Sequence, residues 1–169
     1  REKLVSAMAC DCIISSGGVS VGDYDFVKDV LSEMGSSMKF WKVAMKPGKP
    51  LAFGVIGGKP AFGLPGNPIS SMVAFEQFVR PSLLKMAGHT RILRRIFAAL
   101  LTADIKIKPG RMNFLRAELQ MREGGFEVTP LDGQGSGMIS TMVRANSFIV
   151  VPKDSAGFTK GEPVNVQPF

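Results

Sequence analysis

Histidine is almost missing from this sequence. His89 is the only one among 169 residues, and there are two cysteines, one tryptophan and one tyrosine. A single imidazole excludes a His-rich metal centre, and leaves a Ser-His-Asp triad with nothing behind it but the residue types. Cys10 and Cys12 are separated by one residue, which fits neither a Cys-x-x-Cys redox pair nor a zinc spacing. They read as buried thiols flanking a strand, in a reducing cytoplasm. One tryptophan and one tyrosine supply a stacking platform for single-stranded nucleic acid poorly. No apolar run reaches the roughly 20 residues a membrane-spanning helix needs, and no signal-type segment follows Arg1-Glu2-Lys3. Acidic side chains are short as well. Fourteen Asp and Glu against 21 Lys and Arg leave a formal charge of +7, which favours an anionic partner. Apart from residues 91–95 the basic side chains are scattered, so nucleic acid is the weaker candidate.

Glycine and proline are plentiful, and they fall in three places that could carry chemistry. Residues 13–25 run from an apolar stretch through Ser16, Gly17, Gly18 and Ser20 to Asp25. Strand, tight turn and helix start is the local reading. Backbone N–H groups at such a turn favour phosphate-like anions, although glycines alone can equally make a plain turn. Lys42, Lys46 and Lys49 surround Pro47-Gly48, where the prolines limit the entropy lost on binding. Three ammonium groups near a Gly-rich turn would hold an oxyanion or a pyrophosphate; the bland alternative is a solvated basic loop. Pro65-Gly66-Asn67-Pro68 leads into a helix, with Asn67 as a cap and Ser70 in the first turn. All three loops follow strands, and strand ends in an open α/β sheet meet at one ligand-binding edge. Asp25 is an N-cap by position, and beside a phosphate site its carboxylate could hold Mg2+. Arg116 and Ser136 read as an exposed arginine and a turn serine.

The rest of the pattern sets the fold. Leu4, Val5, Met8 and Ala9 form the tail of a helix. Residues 12–15 form a strand apolar enough for a sheet covered on both faces. A helix is expected from Asp25 to a stop at Gly35, a strand over 40–44, and a hairpin turning at Gly57-Gly58. A further helix starts near Ile69 and is kinked or restarted at Pro81. After a boundary within 89–93, helical periodicity gives way to short alternating runs, with one short helix over 138–144. The expected class is α/β: residues 1–90 form a partial three-layer α/β domain and residues 91–169 a small all-β, barrel-like domain. The abrupt start reads as the later part of a longer protein.

Together these segments resemble the MoeA and gephyrin E-domain family of molybdopterin molybdenumtransferases. The matching motifs are residues 15–25 (SSGGVSVGDYD), 40–50 (FWKVAMKPGKP), 62–70 (FGLPGNPIS), 109–116 (PGRMNFLR) and 133–146 (GQGSGMISTMVRAN), in family order. The resemblance implies a molybdopterin-binding α/β domain followed by a small β domain. It implies a Mg2+-assisted transferase that cleaves adenylylated molybdopterin, inserts molybdate and releases AMP. Asp25 then matches the acid that holds the metal and serves adenylate release, and Lys42 and Lys46 match basic catalytic residues. Lys46, Lys49, Pro50, Ser70, Arg116 and Ser136 match the molybdate pocket, while the glycine and proline loops bind substrate. Asn113 stands where the family commonly has an acidic residue. A homodimer is implied for the whole protein, in the cytoplasm, with no nucleic-acid or membrane partner. These residues alone would bind ligand without turning it over. The competing expectation is a dimerising, partner-binding scaffold of the gephyrin type, and a plain nucleotide- or nucleic-acid-binding protein comes third.

Overall fold

The computed structural model of the chain describes residues 2–18, 33, 35–135 and 137–169. Backbone contacts divide it into two units, Arg1–Val43 with Gly48–Ile92, and Ala44–Pro47 with Leu93–Phe169. The helix expected from Asp25 to Met34 lies outside the described residues except for Glu33.

The first unit is built on a four-stranded sheet in the order β1-β5-β4-β2. Its strands are β1 (Ile13–Ser16), β2 (Ser37–Lys42), β4 (Pro50–Ile56) and β5 (Lys59–Leu64). β1 runs parallel to β5, and β4 is antiparallel to both β5 and β2. Gly57 (φ 53°) and Gly58 (φ 81°) make the β4–β5 hairpin, since a two-residue turn with positive φ at both positions matches the strand twist. Side chains alternate across the sheet, which separates two apolar faces. Ile13, Ile56 and Ala61 pack under Leu4, Ala7 and Met8 of α1 (Glu2–Ala7) and the turn after it. On the opposite face Phe53 meets Phe62 at 4.8 Å and Phe40 at 5.5 Å between ring centroids, and Phe78 covers Phe40. The result is a three-layer arrangement.

Two expectations fail here. Ile14 is 43% exposed, so among the described residues β1 is covered on one face only. Cys10 is exposed and Cys12 half-buried, because they sit in the surface turn between α1 and β1. Burial still pushes the Cys12 thiol pKa up. The expected restart at Pro81 is present, with Pro81 in the first turn of a new helical segment. The helix passes from α2 (Pro68–Ala74) through a π-helical turn, Phe75–Val79, into α3 (Arg80–Met86). Arg80 N–H donates to Phe75 O, and the wider turn accommodates the proline that follows. Gly88 (φ 82°) ends it, with His89 N–H on Leu84 O at 2.9 Å.

The second unit is a closed five-stranded barrel. Its ring order is β10 (Ser147–Val151), β12 (Pro163–Pro168), β6 (Phe97–Leu101), β9 (Gly125–Pro130) and β8 (Met112–Arg122), shut by β8 pairing with β10. Alternate residues of these strands, among them Leu101, Leu115, Ala117, Val128, Ile149, Val151 and Val166, fill its interior. β3 (Met45–Lys46) adds to the outside of β8 as a parallel strand. β7 (Ile105–Lys106) pairs with β11 (Gly157–Phe158), and α4 (Ser140–Arg144) follows the loop after β9.

Candidate functional site

In the first unit, strand register brings the expected loops to one sheet edge. Ser16 lies opposite Leu64, so the parallel strands β1 and β5 end side by side. Lys42 lies opposite Pro50, which places the end of β2 and the start of β4 at that same edge. Ser16, Gly17, Gly18, Lys42, Lys49, Pro50 and the loop Pro65-Gly66-Asn67-Pro68 are therefore gathered along it. Gly17 (φ 87°) and Gly18 (φ 69°) adopt a conformation that side-chain-bearing residues avoid. The turn is tied down by Gly17 N–H on Leu64 O at 2.9 Å. Pro65 O accepts from the Ser71 hydroxyl and, at 3.5 Å, from Ser16 Oγ. Asn67 caps α2: its Oδ1 accepts from the N–H of Ser70, itself buried, at 3.4 Å. Ser71, the residue after Ser70, closes this loop. Ser20 and Asp25 lie outside the described residues.

The three lysines do not belong to one unit. Lys42 and Lys49 are exposed in the first, whereas Lys46 pairs through its backbone with Asn113 of β8 in the second. The excursion is closed at its base by Val43 N–H on Lys49 O at 3.1 Å. Lys46 and Pro47 line a cleft of about 410 Å3 in the second unit, together with Lys106, Phe114, Leu131, Asp132, Gly133 and Gln134. Asn113 also lines it, and its Nδ2 donates to Arg111 O at 2.8 Å. Asn113 thus meets the backbone of Arg111 rather than its charge.

Arg116 is the largest correction. Expected at the surface, it is 0% exposed on the outer side of β8, beneath the loop after β9. The β9 ladder ends at Pro130, opposite Ala117, and beyond it only Leu131 N–H reaches the Arg116 backbone, donating to Arg116 O at 3.0 Å. The Gln134 side chain completes the pairing that β9 leaves unfinished. Its Oε1 accepts from Arg116 N–H at 3.0 Å, and its Nε2 donates to Arg116 O at 2.8 Å and Leu131 O at 2.7 Å. The guanidinium donates through Nε to Thr141 Oγ1 at 2.6 Å, and through Nη2 to Gly133 O at 2.9 Å and Gly135 O at 3.1 Å. Its Nη1 is buried without a partner. Burial lowers its pKa, yet an arginine stays protonated, so among the described residues a cation sits here on neutral acceptors alone. Ser136, the other β-domain residue expected at the site, lies outside the described residues. Gln134 and Thr141 were missed; an amide flanked by two glycines was the only sequence signal for the first.

Among the described residues no three His, Cys, Asp or Glu side chains come together as a metal-ligand set. Nor, among them, is any helix long and apolar enough to cross a membrane. The cations are what these residues offer chemically: lysines at a glycine-lined sheet edge in one unit, and a buried guanidinium beside a polar cleft in the other.

Comparison with known proteins agrees with this division. A family model described as "Probable molybdopterin binding domain" matches residues 1–85, and one described as the MoeA C-terminal region, domain IV, matches residues 98–169. A molybdopterin molybdenumtransferase of Haemophilus influenzae is 42% identical over 161 residues, 94% of this chain and 40% of that protein. One from Staphylococcus aureus strain COL is 33% identical, over 92% of this chain and 37% of its own. A crystal structure of a molybdopterin biosynthesis MoeA protein from Pyrococcus horikoshii aligns with TM-score 0.77 at 32% identity, over 99% of this chain and 39% of that one. A molybdenum cofactor biosynthesis protein from Pyrococcus furiosus aligns with TM-score 0.76 at 26% identity, over 100% and 53%. The chain spans about two fifths of the length of the curated relatives. By both domain matches, in this order along the chain, it belongs to the MoeA family of molybdopterin-binding proteins.

Proposed function

We propose that this chain serves molybdenum cofactor biosynthesis, as the part of a molybdopterin molybdenumtransferase that holds adenylylated molybdopterin and molybdate. Arg116 is the observation that carries the reading. A buried guanidinium with no carboxylate partner among the described residues and an unused Nη1 carries a charge that a bound oxyanion would balance. Lys46 lines the adjoining cleft, whose Gly133 also accepts from Arg116. In the first unit the Gly17-Gly18 turn and the Gly66 loop end at the sheet edge that also carries Lys42 and Lys49. Fixed cations of this kind hold a dianion and offset charge that develops as the phosphoryl bond to AMP breaks. Ser20, Pro50, Ser70 and Ser136 complete the substrate contacts in this proposal, and Asp25 is the carboxylate that would hold Mg2+, which would assist adenylate release. The relatives are more than twice as long, so these residues bind ligand while turnover and the homodimer belong to the longer protein.

Calorimetric titration of the chain with molybdate and with sulfate tests the reading. Preferential molybdate binding that is lost in Lys49→Ala and Arg116→Lys is the expected result. A folded chain that binds neither anion overturns it.

A further inference from the structure

We infer that Thr141 is a positioning residue for the oxyanion site, selecting which edge of the Arg116 guanidinium faces the ligand. This rests on the reading of Arg116 given above. A guanidinium has five N–H donors in one plane. Three are used: Nε on Thr141 Oγ1, and the two Nη2 hydrogens on Gly133 O and Gly135 O. Both remaining hydrogens are on Nη1, which is buried and unpaired.

The direction of the Thr141 hydroxyl is set by its own single proton. That proton is donated to Met138 O at 2.7 Å, so only lone pairs are left to face Arg116 Nε, 2.6 Å away. The hydroxyl can therefore act on Arg116 only as an acceptor. Thr141 is itself buried, on the first turn of α4, and cannot swing away without breaking the bond to Met138. Gln134 fixes the Arg116 backbone at the same time, so the side chain is held at its root and along its Nε–Nη2 edge.

The acceptor's neutrality matters as much as its place. A carboxylate here would orient the guanidinium equally well and cancel its charge, leaving little to attract an anion. A hydroxyl and two carbonyls orient it and leave the charge for a ligand at Nη1. Thr141 thus contributes through Arg116 without touching the oxyanion.

Three substitutions, read by molybdate calorimetry and thermal denaturation, separate this role from a merely structural one. Thr141→Ser keeps the acceptor and should bind within about threefold of the unsubstituted chain. Thr141→Val keeps the shape without the acceptor and should bind at least tenfold more weakly. Thr141→Asp supplies a charged acceptor to Nε; it should keep or raise the melting temperature while losing at least tenfold in affinity, which no packing defect would produce. Should Thr141→Val not fold, the contrast between Thr141→Ser and Thr141→Asp decides. Molybdate binding by Thr141→Asp as tight as by the unsubstituted chain overturns the inference and leaves the reading of Arg116 intact. No binding by the unsubstituted chain, or undiminished binding by Arg116→Lys, overturns that reading and this inference with it.

Discussion

Gly17 and Gly66 face each other backbone to backbone: a Cβ built on Gly66 would lie 3.5 Å from Gly17 Cα, and one on Gly17 would lie 4.0 Å from Gly66 Cα. The turn after β1 and the loop after β5 therefore close on each other at the sheet edge. Only Gly17 is also conformationally demanding, at φ 87°. Gly17→Ala is expected to cost about 1–2 kcal/mol from the left-handed conformation alone. Gly66→Ala meets an ordinary van der Waals contact and should change stability by about 0.5 kcal/mol or less. The double variant places two methyls in one gap and should exceed the sum of the single effects. Urea denaturation of the three variants measures this, and additive behaviour would show that the loops do not meet.

Lys49 and Arg116, both expected to bind oxyanion, should fail in different ways when cut to alanine. Lys49 is exposed and has no core role, so Lys49→Ala should move stability by about 0.5 kcal/mol or less while weakening anion binding. Arg116→Ala removes the donors to Thr141, Gly133 and Gly135 and opens a cavity under their loop, at a cost of about 3 kcal/mol or more. Paired denaturation and calorimetry distinguish them. A stable Arg116→Ala would mean that the loop does not depend on the guanidinium.

How much of this was legible beforehand depended on whether the signal was local. The Gly57-Gly58 hairpin, the Asn67 cap and the Gly88 helix stop are written in adjacent residues, because turn and cap chemistry acts over two to four positions. The convergence of the Gly17 and Gly66 loops followed from the general rule for strand ends. The burial of Arg116 did not, because it depends on Gln134 and Thr141, 18 and 25 residues away, folding back over a strand that outlasts its neighbour. The capture of Met45-Lys46 by β8 was equally hidden. Two residues are too few for a strand pattern, and their partners lie 67 positions on, at Met112 and Asn113. The lysine cluster looked like one loop in sequence and is divided between two units for that reason.

The two cysteines should respond unequally to alkylation. Cys10 is exposed, whereas Cys12 is half-buried and its thiol pKa is raised by desolvation. The thiolate is the reactive form, so iodoacetamide near pH 8 should label Cys10 well before Cys12, as followed by mass spectrometry of Cys10→Ser and Cys12→Ser. The same shift sets a sign for stability. A thiol held protonated in the folded state makes no difference below its unfolded pKa, and lowers stability as pH rises above it. Cys12→Ser should therefore remove part of the alkaline loss of stability. Equal labelling rates would contradict the assigned burial.

Gly157 is the glycine in the second unit with the least room. A Cβ there would lie 1.9 Å from Ile105 O and 2.8 Å from Ile105 C, at a φ of 132° that side-chain-bearing residues rarely adopt. The colliding atoms are backbone of β7, and Lys106 and Ile105 are held in register with Gly157 and Phe158 of β11, so no side chain can move aside to make space. Gly157→Ala must separate the β7–β11 pair, and we expect it to cost about 3 kcal/mol or more. Gly161 also has a positive φ, 88°, but open space where its Cβ would be, and Gly161→Ala should cost only about 1 kcal/mol. Ile105, Lys106 and Ile107 line the same cleft as Lys46, so the loss at Gly157 should extend to ligand binding there, while that at Gly161 should not. Thermal denaturation and molybdate titration of the two variants separate the effects. Equal melting temperatures would show that the β7–β11 pair gives way at little cost.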